Sequence, residues 1–300
     1  MKRAQFQRGS GPWLVLAAAI LWGTTGTSQA FAPQGAEPAT VGALRLLVGG
    51  VALLIWAIAR GAFRGRARWP VVPVAFAAGS MAAYQLCFFA AVTMTGVAIG
   101  TMVAIGSAPI LAGVLGFLVR GERPGQKWAI ATALAIIGCI LLTTGNADVQ
   151  ANTLGIVLAL GAGAAYATYT VASKGLLEQQ PPDAVMAITF CVGAVLLMPL
   201  LFTGNLVWVT TPQGVGVTLH LGLVATALAY VLFARGLQMI PVATAVTLSL
   251  VEPVTAGILG VVVLGERMEV PAMVGIGLVF GGLALLSFGS KALALDEPDA

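Results

Sequence analysis

Along most of this chain the apolar residues fall in unbroken runs of about twenty, the length of helix that crosses a ~30 Å hydrocarbon core at 1.5 Å per residue. Ten such runs are predicted, at 13–32, 39–59, 70–92, 97–118, 126–144, 154–173, 183–203, 214–234, 241–263 and 271–289. They lack the period-2 alternation, in segments of about ten residues, that marks a membrane β-barrel. The connections are short and marked by Pro, Gly or charge: Pro33 to Pro38, Arg60 to Pro70, Gly121 to Gly125, Pro181-Pro182, Thr211-Pro212 and Pro241. None is long enough for a soluble domain. The expected fold is an all-α membrane protein with ten transmembrane helices.

The ninth run, LSLVEPVTAGILGVVVLGER at 248–267, is broken by Glu252-Pro253, and its ending repeats the VRGER at 119–123. Aligning Pro109 with Pro253, an offset of 144, brings Ala112, Gly113, Leu115, Gly116, Val119, Gly121, Glu122 and Arg123 onto Ala256, Gly257, Leu259, Gly260, Val263, Gly265, Glu266 and Arg267. The same register pairs Gly138 with Gly282, Gly145 with Gly289, Phe89 with Phe233 and Trp22 with Tyr166. The chain therefore divides into two five-helix units, 1–145 and 146–300. Five is odd, so the second unit enters the membrane from the opposite side. Inverted repeats of this kind underlie many secondary transporters, with the substrate site near the midplane between them.

Composition agrees. Of 300 residues 59% are hydrophobic and 9% charged, against about 25% charged in soluble domains. The 38 glycines predict close helix packing. Cytoplasmic loops are enriched in Lys and Arg. With the N-terminus inside, Lys2, Arg3, Arg8, Arg60, Arg64, Arg66, Arg68, Arg120, Arg123, Lys127, Lys174, Arg235 and Lys291 all fall on the cytoplasmic side and Arg267 alone outside. Both termini are then cytoplasmic. The net charge of +4 is scattered over short loops rather than gathered on one face, which argues against nucleic acid as a partner. Lys2, Arg3 and Arg8 before an apolar run, and Ala30-Phe31-Ala32, imitate a signal peptide; Pro33 and the repeat favour a retained first helix. Cys87, Cys139 and Cys191 sit singly in apolar runs and read as packing residues. There is no HExxH, no pair of intramembrane aspartates, no deep Ser/His arrangement and no GxxxxGK. An enzyme and an ATP-driven pump are disfavoured, and no metal or cofactor is expected. Neither charge rings nor filter loops suggest a channel.

Charge inside a span is costly, about 2.5 kcal/mol or more, and marks a functional candidate. Glu252 lies ~17 Å from the cytoplasmic edge of the ninth helix and Arg45 ~10 Å in from the outer edge of the second. Their depths permit a direct pair if the two helices are neighbours; unpaired, Glu252 is a candidate for proton coupling. Pro253 and Pro109 each remove a helical hydrogen bond, freeing the carbonyls of Ser249 and Ile105. Paired bends at these prolines are candidate hinges, and fixed packing kinks are the alternative. Trp22, Tyr84, Gln85, Tyr166 and Tyr230 lie deep in their spans, whereas Trp13, Trp69 and Trp128 lie at span ends, as interfacial residues do. Deep Tyr and Trp need a polar partner. With Thr24, Ser107 and Ser249 the deep group outlines a candidate substrate cavity with aromatic walls, although core packing explains any one of them. The Thr24-Thr25 pair, Thr168 and Tyr169 are candidates to hydrogen-bond a ligand, with satisfying backbone carbonyls as the alternative. His220, the sole histidine, reads as a packing or interface residue near the outer side, and Gly277-x-x-x-Gly281 as an internal helix contact, with a dimer face as the alternative.

Trp22-Gly23, Ala43-Leu44-Arg45, SAPILAGVLGFLVRGER at 107–123 and LVEPVTAGILGVVVLGER at 250–267 resemble the EamA type of the drug/metabolite transporter superfamily. The resemblance spans essentially the whole chain. It implies a bacterial inner-membrane carrier, an exporter of metabolites, with helices 1, 3, 4, 6, 8 and 9 around a central cavity. Within the superfamily the chain is most similar to YddG-type exporters of aromatic and other neutral amino acids. The implied partners are a small substrate, an amino acid or amphipathic metabolite, and the lipid bilayer, with one chain as the working unit. A drug carrier of the same fold is the alternative, and a channel a more distant one.

Overall fold

A computed structural model describes residues 10–64, 68–143, 152–265 and 269–289. Lys2, Arg3, Arg8, Arg66, Gly145, Glu266, Arg267 and Lys291 lie outside the described residues. The described chain is helical almost throughout: α1 Gly11–Ala30, α2 Pro38–Ala59, α3 Val71–Thr95, α4 Val97–Arg120, α5 Gln126–Thr143, α6 Thr153–Leu177, α7 Pro182–Thr203, α8 Pro212–Met239, α9 Val242–Leu264 and α10 Val270–Gly289. Proline opens α1, α2, α7 and α8 in the first turn, where its missing N–H costs nothing. Eight of these helices are long and apolar enough to cross a membrane. α5 is apolar but short, and α1 carries the polar run Gly23-Thr24-Thr25-Gly26-Thr27-Ser28-Gln29. α1 tolerates it because its neighbours, α8 and α9, cover one side of it.

The packing repeats with the sequence. α6 takes α3 and α4 against itself, and α1 takes α8 and α9 in the same way. α2 packs on α7 and α5 on α10, each helix on its counterpart in the other half. The 144-residue register holds at single contacts. A Cβ on Gly138 would lie 2.5 Å from the carbonyl oxygen of Gly275, and one on Gly282 would lie 2.5 Å from that of Ala131. Adding or subtracting 144 turns the first pair into the second. These glycines let α5 and α10 meet backbone to backbone, the approach that small residues permit in membranes. Gly277 and Gly281, expected to make an internal contact, instead face open space: a Cβ at either meets nothing within 4 Å. The internal seam of α10 uses Gly275 and Gly282, on another face.

The repeated Gly-Glu-Arg has a local cause. Gly121 ends α4 at φ 67° and Gly265 ends α9 at φ 72°, the left-handed conformation that glycine adopts without a Cβ penalty. Glu122 then turns back: its N–H reaches Gly116 O at 3.1 Å, and its Oε2 accepts from the N–H of Val242, at the start of α9, at 2.8 Å. Arg120 bonds Glu122 and, across to α6, Glu178. Lys174 Nζ donates to the carbonyls of Leu237, Gln238 and Ile240 at 2.5, 3.2 and 2.9 Å, satisfying the last turn of α8. Gln238 donates to Leu177 O, and Arg235 pairs with Asp183 at 3.1 Å. The ends of α4, α6 and α8 and the start of α9 are thus tied together by charge-assisted bonds.

The two prolines act differently. α9 is interrupted at Ser249–Leu250, one turn before Pro253, whereas α4 runs unbroken through Pro109. The Ser249 carbonyl that Pro253 frees is taken at 2.9 Å by the N–H of Glu252, a tighter three-residue turn. α8 departs from regularity too: His220–Leu228 is π-helix between two α-helical segments. Trp128, at the start of α5, donates its indole N–H to Thr247 on α9 at 3.0 Å, bridging α5 and α9.

Candidate functional site

A cavity of about 50 Å³ lies between the two halves, lined by Trp22, Arg45, Tyr84, Gln85, Ala104, Ile105, Ala108, Tyr166, Tyr230, Val246, Ser249, Leu250 and Glu252. Its walls come from α1–α4, α6, α8 and α9. The break in α9 places Ser249 and Leu250 on the wall, one turn from Glu252. Rings form much of the rest. Trp22 packs on Tyr230 with centroids 4.9 Å apart and edge-on to Tyr166 at 6.4 Å, and Tyr84 lies 5.9 Å from Tyr166. Phe190 and Phe233 support this layer from behind, 4.3 Å from Tyr230 and 5.2 Å from Trp22. The Tyr166 hydroxyl meets Ser249 Oγ at 3.2 Å, and Ser249 also bonds Ala245 O. The indole N–H of Trp22 has no hydrogen-bond partner although the residue is buried.

Arg45 and Glu252 face this cavity without pairing: among the described residues no ion pair joins them. The direct pair that their depths permit does not form. Arg45 is held by the π-segment of α8 instead. Its Nε donates to Thr226 Oγ1 and its terminal N–H to Ala225 O, both at 3.2 Å.

Of the residues proposed for the cavity, Trp22, Tyr84, Gln85, Tyr166, Tyr230 and Ser249 come together on its wall. Two do not. Ser107 turns toward α6, where a Cβ on Gly163 would lie 2.3 Å from its Oγ, and it bonds Ala104 O. Thr24 lies on a separate recess of about 450 Å³ with Thr27, Ser28, Phe31, Gln213, Gly216, Val217, His220 and Leu259. There Thr24 Oγ1 lies 2.6 Å from Leu21 O and 2.8 Å from His220 Nε2. A hydroxyl has one hydrogen. Given to Leu21 O, it leaves Thr24 to accept from a protonated Nε2 of His220. Thr168 is spent on Ala164 O and Tyr169 on Met186 Sδ, so neither reaches the cavity. The wall residues not anticipated are small or aliphatic: Ala104, Ile105, Ala108, Val246 and Leu250. The repeat offers a signal for two of them, since Ala108 is the counterpart of Glu252 and Ile105 that of Ser249.

The chain matches the EamA-like transporter family twice, over residues 9–144 and 153–288. It is 48% identical over 275 residues to the uncharacterized transporter YwfM of Bacillus subtilis, covering 91% of this chain and 92% of that protein. It is 27% identical to a probable terminal-alkyne amino-acid exporter of Streptantibioticus cattleyicolor, covering 92% of each. A solved crystal structure, 22% identical, superposes with a TM-score of 0.82 over 95% of this chain and 98% of that one, which establishes the shared fold. With both halves matched and the length of the chain accounted for, this protein belongs to the EamA-like transporter family and is a multi-pass transporter of the bacterial inner membrane.

Proposed function

We propose that the protein exports amino acids, aromatic and other neutral ones or close metabolites, by alternating access of the central cavity. The observation that carries this reading is the cavity wall, where a guanidinium, a carboxyl group and four aromatic rings meet between the two halves. Such a wall suits a small molecule with both charges and an uncharged side chain. A relative matched over 92% of its length is named a probable terminal-alkyne amino-acid exporter, which supports the substrate class. At about 50 Å³ the cavity holds little more than a water or two. Sites for small ligands are typically ~300 Å³ or larger, so loading requires the walls to part. The packing gathers α3, α4 and α6 into one bundle and α1, α8 and α9 into another, and these bundles, each drawn from both repeat units, are what part, with Pro253 beside the break in α9 and Pro109 in α4 as hinges.

Ten crossings with both termini cytoplasmic fit the distribution of Lys and Arg, with α1 and α5 spanning as members of the bundle. In that orientation the network of Arg120, Glu122, Lys174 and Glu178 closes the cytoplasmic end, and the recess at Thr24 and His220 lies toward the outside.

Uptake into proteoliposomes, screened over the twenty amino acids and a set of cationic drugs, tests the substrate. Saturable uptake of neutral amino acids is expected. Preference for the drugs would overturn the amino-acid reading and leave the fold intact.

A further inference from the structure

Arg45 and Glu252 are the two ionisable side chains of opposite sign on the cavity wall, and among the described residues no ion pair joins them. Both break the internal repeat: under the 144-residue offset Arg45 meets Thr189 and Glu252 meets Ala108. The element that holds Arg45 breaks it as well. The π-segment His220–Leu228 corresponds to residues 76–84 of α3, which are ordinary α-helix. π-Turns inside α-helices recur at functional sites. This one brings Ala225 O and Thr226 Oγ1 to the guanidinium. A guanidinium has five N–H donors, so those not used here remain for the cavity. Among the described residues the Glu252 carboxyl takes no hydrogen bond, and Trp22 Nε1, on a residue 4% exposed, has no partner.

Unneutralised charge in a membrane interior is costly and is kept where it meets water or a partner. A symmetric cage would offer the same group twice. Here the departures from symmetry make the cavity dipolar, with a cation donor on one wall and a carboxyl on another.

We infer that these two residues bind the zwitterionic head of an α-amino acid, Arg45 taking the substrate carboxylate and Glu252 the ammonium, with the side chain among Trp22, Tyr84, Tyr166 and Tyr230. Thr226 acts as a positioning residue for Arg45. The inference rests on the amino-acid reading of the site and assigns its polar contacts.

Two compound sets test it in proteoliposome flux and in ligand-induced Tm shifts of the purified protein: phenylalanine, phenethylamine and 3-phenylpropionate; leucine, 3-methylbutylamine and 4-methylpentanoate. Each set removes first the carboxylate and then the ammonium while keeping the side chain. Wild type is expected to favour the amino acid over either analogue on the order of 10- to 100-fold, the size of one lost charge-assisted hydrogen bond. Arg45→Gln should bring the amine level with the amino acid, and Glu252→Gln should do so for the deaminated acid. Thr226→Val should weaken discrimination against the amine while leaving that against the acid. Equal handling of all three compounds by wild type overturns the assignment while amino-acid transport stands. If wild type moves no amino acid in the twenty-compound screen, both readings fall. Should a variant be too unstable to purify, the three-way comparison on wild type still decides.

Discussion

Trp22→Ala should abolish transport and give the largest loss of stability of any substitution in the cavity wall. The indole is 4% exposed and sits where α1 meets α8 and α9. It touches Tyr230, Phe233 and Tyr166, with centroids 4.9, 5.2 and 6.4 Å away. Truncating a buried Trp to Ala costs about 3–5 kcal/mol, because the neighbours relax only partly into the space. The same ring separates the cavity from the core behind it, so its loss also removes the wall against which a substrate side chain would pack. Thermal unfolding in detergent and flux in proteoliposomes measure the two effects. Trp22→Phe separates them: it restores most of the packing and leaves the N–H absent. Wild-type flux and Tm in Trp22→Ala would show that the ring is peripheral to the site.

The second large effect concerns the seam of the two halves. Gly138→Val and Gly282→Val should each destabilise the protein, and by similar amounts. A Cβ on Gly138 meets Gly275 O at 2.5 Å and Val279 Cγ2 at 2.7 Å; one on Gly282 meets Ala131 O at 2.5 Å. The atoms met first are backbone, which cannot rotate away, so α5 and α10 must move apart. Overpacking of this kind costs about 1–3 kcal/mol, and more where backbone yields. Gly277→Val, on the open face of α10, is the control and should leave Tm near wild type. Equal Tm for wild type and Gly138→Val would contradict the close contact. Strongly unequal effects of the two seam variants would contradict the symmetric packing.

Much of the architecture could be read from the chain because membrane helices impose long apolar runs and close contacts demand glycine. The span predicted at 97–118 is α4 at Val97–Arg120, and that at 183–203 is α7 at Pro182–Thr203. The repeat register was legible through Gly121 and Gly265, which left-handed caps require, and through Gly138 and Gly282, which the α5–α10 seam requires. Depth within a span was legible as well, since rise per residue is constant. It brought Arg45 and Glu252 to neighbouring levels, and the cavity receives both.

Lateral placement was not legible. Depth says nothing about which groups meet laterally, so it permits a direct pair of Arg45 with Glu252, whereas in the structure Arg45 bonds α8. Helical phase was uncertain for the same reason. Ser107 and Thr24 lie near cavity residues in sequence but point to α6 and to the outer recess. The π-segment at His220–Leu228 leaves no mark in composition, yet it shifts the phase of α8 and supplies both ligands of Arg45. Equal bends at Pro109 and Pro253 were expected from the proline chemistry alone. The assignment as helix is interrupted at Ser249–Leu250 in α9, whereas in α4 it continues through Pro109.

Counterflow in proteoliposomes tests most directly whether one site is reached in turn from the two faces. Vesicles carrying the purified protein are loaded with an unlabelled amino acid from the screen, and the initial uptake of the labelled compound is compared with that of empty vesicles. A single alternating site predicts saturable uptake that is faster into loaded vesicles and transiently exceeds equilibrium. Flux that rises linearly with concentration, carries a conductance and ignores the internal substrate would contradict alternating access and make the protein a channel.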